Sequence, residues 1–403
     1  MPELKRQLAA LTPDQRAKLK ARLAGEAAPP KVAPSASESV VPNGRPIDFT
    51  LFFFSANGAS QSLGKYELLL RCAEFGDTHG FKAIWTPERH FSQFGGLYPN
   101  PAVLGAALAA RTSQLEIRAG SVVLPLHNPL AVAEDWAVVD NLSGGRVGLA
   151  FATGWHKTDF VLRPEAFATR RESMAASIEL LQKLWRGEQV SMPGVDGEPT
   201  AIVTFPRPTQ PALKFWLTCK SEEGWAAAGR MGANVLAMMG ASKTALAQCI
   251  ATYRRARAEV GLPADSGTVS VMLHTYIDND ATRAKAKTRE PLQSYLEDYI
   301  QQYRTLADPA IQQQVLSHKN DFLDFAFERY FEQASLLGPQ SKCQGLLNEL
   351  GDMGVNEIAC LIDFGIDDND VIASLALLAD MANERRRAHA PSPAHHASFP
   401  EPA

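Results

Sequence analysis

Two short stretches of the chain gather the side chains that could do chemistry. Thr86-Pro87-Glu88-Arg89-His90-Phe91 leads into the Gly/Pro-rich FGGLYPNP, and Thr153-Gly154-Trp155-His156-Lys157-Thr158-Asp159-Phe160 carries a second histidine and a second acid. An imidazole near a carboxylate suits general acid–base work at neutral pH. Three reactions that use such groups leave firmer signatures than these. Metal-dependent hydrolysis asks for paired histidines or H-E-x-x-H on a helix, and the nine histidines here are scattered singly. Acyl transfer asks for a G-x-S-x-G elbow, which is absent, and Cys219 has no base near it in sequence. Glycoside hydrolysis asks for two opposed carboxylates, which Glu88, Asp159 and Asp363 could supply, as any rim of loops could.

Such loops need a scaffold. Eight β-type runs, at 49–55, 83–86, 117–124, 147–153, 215–218, 234–239, 269–277 and 357–364, are mostly near-continuous in apolar residues, the mark of strands buried on both faces. Between them, segments with apolar residues three and four apart, clearest at 66–79, 102–112 and 170–185, read as helices. Eight such units predict an α/β fold closed as a (β/α)8 TIM barrel, with a helical insertion over 290–330 before the last strand. An open doubly wound sheet is the alternative, but no G-x-G-x-x-G follows the first strand, so the dinucleotide cradle of that fold is missing. In a barrel the two polar stretches follow strands two and four and share one rim.

The composition, 45% hydrophobic and 21% charged, supplies a core for such a barrel. A net charge of −4 without basic-aromatic runs argues against a nucleic-acid partner. The apolar runs are strand-sized and the N-terminus has no apolar signal region, so a cytoplasmic protein with no membrane segment is expected. Five dispersed cysteines without C-x-x-C predict free, mostly buried thiols. The two ends differ from the middle. Residues 11–23 read as a short helix capped by Thr12, and a Pro/Ala/Ser/Glu-rich linker follows over 25–46, so residues 1–45 form either a frayed tail or a docking segment. The barrel spans 46–380, and 381–403, basic and then Pro/His/Ala-rich, is expected to be a disordered tail.

Longer segments carry a resemblance. WTPERHFSQFGGLYPNP, IRAGSVVLPLHNPLAVAEDWAVVDNLSGGRVGLAFATGWHKTDF, FERYF and GVNEIACLIDFG come in the order that strands two, three, four and eight require. Together they closely resemble the bacterial luciferase-like flavin-dependent monooxygenases of nonribosomal peptide and polyketide gene clusters, over about residues 48–378. The resemblance implies an enzyme that takes reduced FMN from a separate flavin reductase by diffusion, uses O2 as co-substrate, and hydroxylates or inserts oxygen into a secondary-metabolite intermediate. Water must be kept from the reactive flavin, which implies an apolar, covered pocket at the barrel mouth. Phe52, Phe54, Trp85, Phe91, Trp155 and Phe160 are candidates to line it, although Phe52 and Phe54 suit ordinary barrel packing as well.

Particular positions follow from the same resemblance. Gly120-Ser121 aligns with a strand-three segment that lies against the flavin ring, sometimes through a cis bond. Thr153 and Gly154 match the strand-four end at the flavin tail, where luciferase carries an Arg in place of Thr153. The phosphate role then passes to Thr218, Lys220 and Ser221, where a helix start offers an anion site. A surface Lys and an ordinary N-cap Ser would look the same. Residues 218–222 depart from the family's usual T-A-x-G-N, and Arg89 stands where luciferase has a histidine, with His90 matching the next one. His90 and His156 are candidate proton carriers, Arg89 a candidate for holding a peroxide anion or a substrate carboxylate, and Glu88 the residue that orients Arg89 or His90. The 11–23 segment resembles helices between synthase modules, implying a carrier protein or synthase module as partner through residues 1–45. The family often forms homodimers near strands two and three, where AVLGAALAA at 102–110 allows close packing. Two other readings stay open: a deazaflavin-dependent oxidoreductase, and a catalytically silent flavin-binding subunit.

Overall fold

The apolar runs form strands at all eight expected positions, and in the computed structural model they close into a ring. The structure describes residues 45–54, 64–239, 242–304 and 319–389; the expected docking helix over 11–23 lies outside them. The strands are β1 (Asp48–Phe52), β2 (Ala83–Thr86), β3 (Glu116–Val123), β4 (Val147–Ala152), the β5–β6 hairpin (Val190–Pro193 and Pro199–Ile202), β7 (Phe215–Thr218), β8 (Asn234–Met238), β9 (Val269–Ile277), β10 (Leu336–Gly338) and β11 (Glu357–Leu361). Parallel pairing runs β1-β2-β3-β4-β7-β8-β9-β11 and returns to β1, an eight-stranded parallel barrel. Every residue of β2 and β11 is buried, as strands covered by interior side chains on one face and helices on the other must be.

The helices are α1 (Glu67–Thr78), α2 (Pro101–Arg111), α3 (Pro129–Ser143), α4 (Ala166–Arg186), α5 (Glu222–Arg230), α6 (Lys243–Glu259), α7 (Ala281–Arg304), α8 (Lys319–Gln333), α9 (Gln340–Met353) and α10 (Asp368–Ala388). Two Asn-Pro steps fix where the polar loops end. Asn100 caps α2 by accepting from the Ala102 and Val103 amides, and Asn128 caps α3 by accepting from Leu130, each with proline in the first turn. Among the described residues no helix is long and apolar enough to cross a membrane.

Three features depart from expectation. The hairpin and β10 are additions to the eight runs, and β10 exists because β9 outlasts β11. Ser270–His274 pair with β11, which leaves Thr275–Ile277 to pair with Leu336–Gly338. The expected tail from 381 is helical as far as Ala388, because Met381, Ala382 and Arg385 remain on the buried face of α10, with Arg385 Nη1 donating to Asn348 Oδ1 at 2.7 Å. The insertion consists of α7 and α8, joined through residues outside the described ones.

The lower end of the barrel is filled by one cation. Arg118 of β3 is buried between the rings of Trp85 and Trp216, with its guanidinium carbon 4.7 and 4.4 Å from their centroids. Its Nη1 donates to Glu357 Oε1 at 2.7 Å and its Nε to Glu116 Oε2 at 2.9 Å, while Ser270 Oγ donates to the same Glu357 oxygen at 2.7 Å. Burial pulls the Arg118 pKa down, but the two carboxylates outweigh it and hold the cation above its ordinary value. Replacing Arg118 with Met leaves Glu357 charged in a dry interior, and loss of one partner of a buried pair costs about 3–5 kcal/mol. R118M is therefore expected to lower the thermal midpoint strongly in scanning fluorimetry, and E357Q added to it to recover part of the loss.

Candidate active site at the barrel mouth

Strand β2 ends at Thr86, and the next residues turn into the rim. Glu88 is buried there and its carboxylate is fully engaged: Oε1 accepts from His90 Nε2 at 2.9 Å and His127 Nε2 at 2.7 Å, and Oε2 accepts from the Val123 amide at 2.7 Å. A carboxylate only accepts, so both rings carry their proton on Nε2. Burial pushes the Glu88 carboxyl up, yet the hydrogen bonds from His127 and His90 win and hold it below the usual carboxylate range. The same pair raises His127 against the effect of burial. Sequence reasoning did not single out His127. Its signal was position, one short turn after β3 and one residue before the Asn128 cap, where a barrel places loop residues at the rim.

Arg89 goes elsewhere. Glu88 orients His90, as one of the two expectations had it, but not Arg89, whose Nη1 donates instead to Asp159 Oδ2 at 2.8 Å. Its guanidinium carbon lies 5.9 Å from the Trp155 centroid, and its Nε and Nη2 are buried without a hydrogen-bond partner. His156 Nδ1 is 3.7 Å from Asp159 Oδ1, beyond hydrogen-bond range, and both atoms are likewise unsatisfied. Burial, and then the Arg89 charge, push His156 down to about 4, so its ring is neutral near pH 7. Burial raises Asp159 more than Arg89 lowers it.

The flavin positions expected from the sequence separate into rim and floor. The Gly120–Ser121 peptide is cis, and Ser121 Oγ and Thr218 Oγ1 share a hydrogen bond of 2.5 Å across β3 and β7. A Cβ on Gly120 would come within 2.7 Å of the Phe52 ring, so Phe52, 1% exposed and beside Trp85, is the floor under this peptide. Thr153, Gly154 and Trp155 are half-buried at the end of β4. Gly154 has φ 70°, and a Cβ there would come within 2.7 Å of Val123 and 2.8 Å of Phe160, a close approach that only glycine permits. Phe160 lies buried in a side cluster with Val123, Leu126 and Ala166. Phe91 is 63% exposed, so it does not line an enclosed pocket. Phe54 packs on Phe94 and Tyr295.

Lys220 places its ammonium 4.7 Å from the Trp155 centroid, so two cations, Arg89 and Lys220, meet one indole. Ser221 acts as the N-cap of α5, its oxygen accepting from the Gly224 amide at 3.3 Å. The anion site expected at this helix start is weakened by Glu222 and Glu223 in the first turn, whose charges oppose the positive helix end. Lys220 is left as the cation on this side of the rim. The set fits a flavin: a backbone edge at Gly120 with no side chain, two hydroxyls on Ser121 and Thr218, and the half-buried Trp155 indole, with two open donors on Arg89 nearby.

Parallel register extends the mouth around the barrel. Thr218 pairs with Leu236, Met238 with Met272 and Leu361 with His274, so Met238, Met272 and His274, none anticipated from the sequence, share the interior face. His274 is one of three polar residues, with Ser270 and Thr275, in an otherwise apolar-to-aromatic strand. Among the described residues no cluster of three His, Cys, Asp or Glu side chains is arranged to hold a metal ion.

Opposite shifts in one pair give a defined pH window. Glu88 is lowered, so its contribution to stability is present above about pH 4.3 and lost as pH falls through its folded value; His127 is raised, so its contribution is present below about pH 6.5 and lost as pH rises through its folded value. The thermal midpoint of H127N is expected to fall furthest below that of the native chain between these limits, with the gap narrowing on either side.

Comparison with known proteins agrees with this geometry. The profile of the luciferase-like monooxygenases matches residues 47–357. An alkanal monooxygenase alpha chain from the Kryptophanaron alfredi symbiont is 21% identical over 335 residues, covering 78% of this chain and 92% of that one. In fold, the chain is similar to the oxygenating constituent of 3,6-diketocamphane monooxygenase from Pseudomonas putida in complex with FMN, with TM-score 0.68, 17% identity, and 84% and 98% of the two chains covered. It is also similar to an F420-dependent secondary alcohol dehydrogenase in complex with an F420-acetone adduct, with TM-score 0.64, 16% identity, and 85% and 99% covered. With the matched region running from the start of the barrel to the first residue of its last strand, more than half of the chain, the chain belongs to the luciferase-like monooxygenase family.

Proposed function

We propose that this chain is the oxygenase of a two-component system: it receives reduced FMN by diffusion from a separate reductase and transfers one atom of O2 to a secondary-metabolite intermediate. The balance is FMNH2 + O2 + substrate giving FMN, oxygenated substrate and water. The observation that carries the reading is the pair of buried polar clusters at the barrel mouth, Glu88 with His90 and His127, and Arg89 with Asp159 and His156. Bound reduced flavin supplies the electrons that activate oxygen. Gly120, Ser121, Thr218 and Trp155 are the residues to hold its ring and Lys220 the one to hold its phosphate. Glu88 fixes His90 and His127 with their Nε2 protons directed at the carboxylate, and His90 moves the proton that oxygen transfer requires. Arg89 brings a permanent cation with two unused donors to developing negative charge.

A second reading, hydride transfer with a deazaflavin and no oxygen, is favoured by the F420-dependent dehydrogenase among the structural neighbours. The two are separated by mixing protein loaded anaerobically with FMNH2 against oxygenated buffer in a stopped-flow spectrophotometer. The oxygenase reading expects reoxidation slower than that of free FMNH2, through a transient absorbance belonging to neither reduced nor oxidised FMN, and faster hydrogen peroxide release in E88Q. Reoxidation at the rate of free FMNH2, together with tight binding of F420, would sink it.

The homodimer rests on apolar exposure. Val103 of α2 and Val138 and Leu142 of α3 are 65%, 44% and 55% exposed. Light scattering is expected to give twice the chain mass, and L142E to reduce it; a monomeric native chain overturns the assignment.

A further inference from the structure

His274 is 1% exposed, yet neither of its ring nitrogens has a hydrogen-bond partner. Its register with Leu361, and the inward reach of Ser270 four residues earlier on the same strand, point it into the barrel near the mouth. Three rings enclose it edge-on: Tyr295 of α7 at 4.5 Å and 81°, Tyr330 of α8 at 5.3 Å and 75°, and Phe364, after β11, at 5.1 Å and 89°. Tyr295 passes the contact on to Phe54 and Phe94 at the end of β1 and in the β2–α2 loop. Burial drives the imidazole down to about 3, so the ring is uncharged at any working pH.

Phenylalanine would fill the same box without leaving two polar atoms unsatisfied, a state that buried groups in folded proteins rarely keep. We propose that His274 is the specificity-determining contact of an aromatic subsite, reading a hydroxyl on an uncharged, planar part of the oxygenated substrate. A neutral imidazole offers one N–H donor and one bare-nitrogen acceptor on opposite edges, and a hydroxyl, which both donates and accepts, can pair with whichever edge faces it. A carboxylate or an ammonium would have to leave water for a ring-lined box in which a single uncharged imidazole nitrogen is the partner on offer from His274. The inference deepens the monooxygenase reading by naming a feature of its substrate. Its test uses no flavin, so its failure leaves that reading standing.

The test measures binding of 4-propylphenol, its methyl ether 4-propylanisole, 4-propylbenzoate and 4-propylbenzylamine to the full chain by calorimetry. The phenol is expected to bind about tenfold tighter than the ether, the size of one net buried hydrogen bond. H274F is expected to abolish that preference while raising the thermal midpoint, because it removes the unsatisfied nitrogens and keeps the ring volume; a merely structural histidine would not couple the two effects. Equal binding of phenol and ether, tighter binding of the benzoate or the amine, or an H274F chain that melts lower and keeps the phenol preference would each overturn the proposal.

Discussion

Closing eight strands into a ring creates an interior that must be filled, and at its lower end a charged side chain does the filling. Arg118 has Nε, Nη1 and Nη2 all within 2.9 Å of carboxylate oxygens from Glu116 and Glu357, and an indole on either side. Residues of β2, β3, β7, β9 and β11 meet at this one group, so it acts on register as well as on volume. A one-residue slip of any of these strands would turn its contribution out of the barrel. The arrangement resists sliding more than an all-apolar plug would, because only one alignment brings the carboxylates to the guanidinium.

The mouth contrasts with this end. Arg89 is nearly as buried as Arg118, but only one of its three nitrogens has a partner, and His156, Asp159 and His274 also carry unsatisfied atoms. Buried polar atoms left open cost stability; among the described residues Thr86, Arg89, His156, Asp159 and His274 bring seven of them to the mouth, and others lie on Arg118, Glu357, Ser173, Gln344 and Arg385. The lower end is not fully paired either, since Arg118 Nη2 and Glu357 Oε2 lack a hydrogen-bond partner, but among the described residues more such atoms lie at the mouth, where a ligand would complete the contacts.

The strands were legible because burial on both faces removes alternation and leaves short apolar runs. β10 was not, since three residues carry no period, and its existence depends on where β11 stops. The end of α10 was misread because its arginines look like a solvated tail, whereas Arg385 reaches Asn348 from a buried position. In the mouth, the loops were readable and the partners were not. Glu88 and Arg89 are neighbours in sequence, but adjacent residues of an extended segment point to opposite sides, so each found partners far along the chain, His127 and Val123 for one and Asp159 for the other. A lone histidine in a mostly apolar strand, as His274 is, gives no sign of whether its nitrogens are satisfied.

Arg89 acts on more than its own ion pair. Burial, and after it the permanent charge of Arg89, suppresses protonation of His156, which is therefore an uncharged ring near neutral pH. Glu88 does the reverse for His127, raising it on the other side of the site. Two imidazoles near one rim are thereby pushed apart in pKa, the condition under which one can hold a proton while the other cannot. His156, read from the sequence beside His90 as a candidate proton carrier, has its ring neutral near pH 7 and no hydrogen bond on its Nδ1. On the proposed oxygenase reading, proton supply falls to the side where a buried carboxylate holds two Nε2–H groups, and the Arg89 side to binding negative charge.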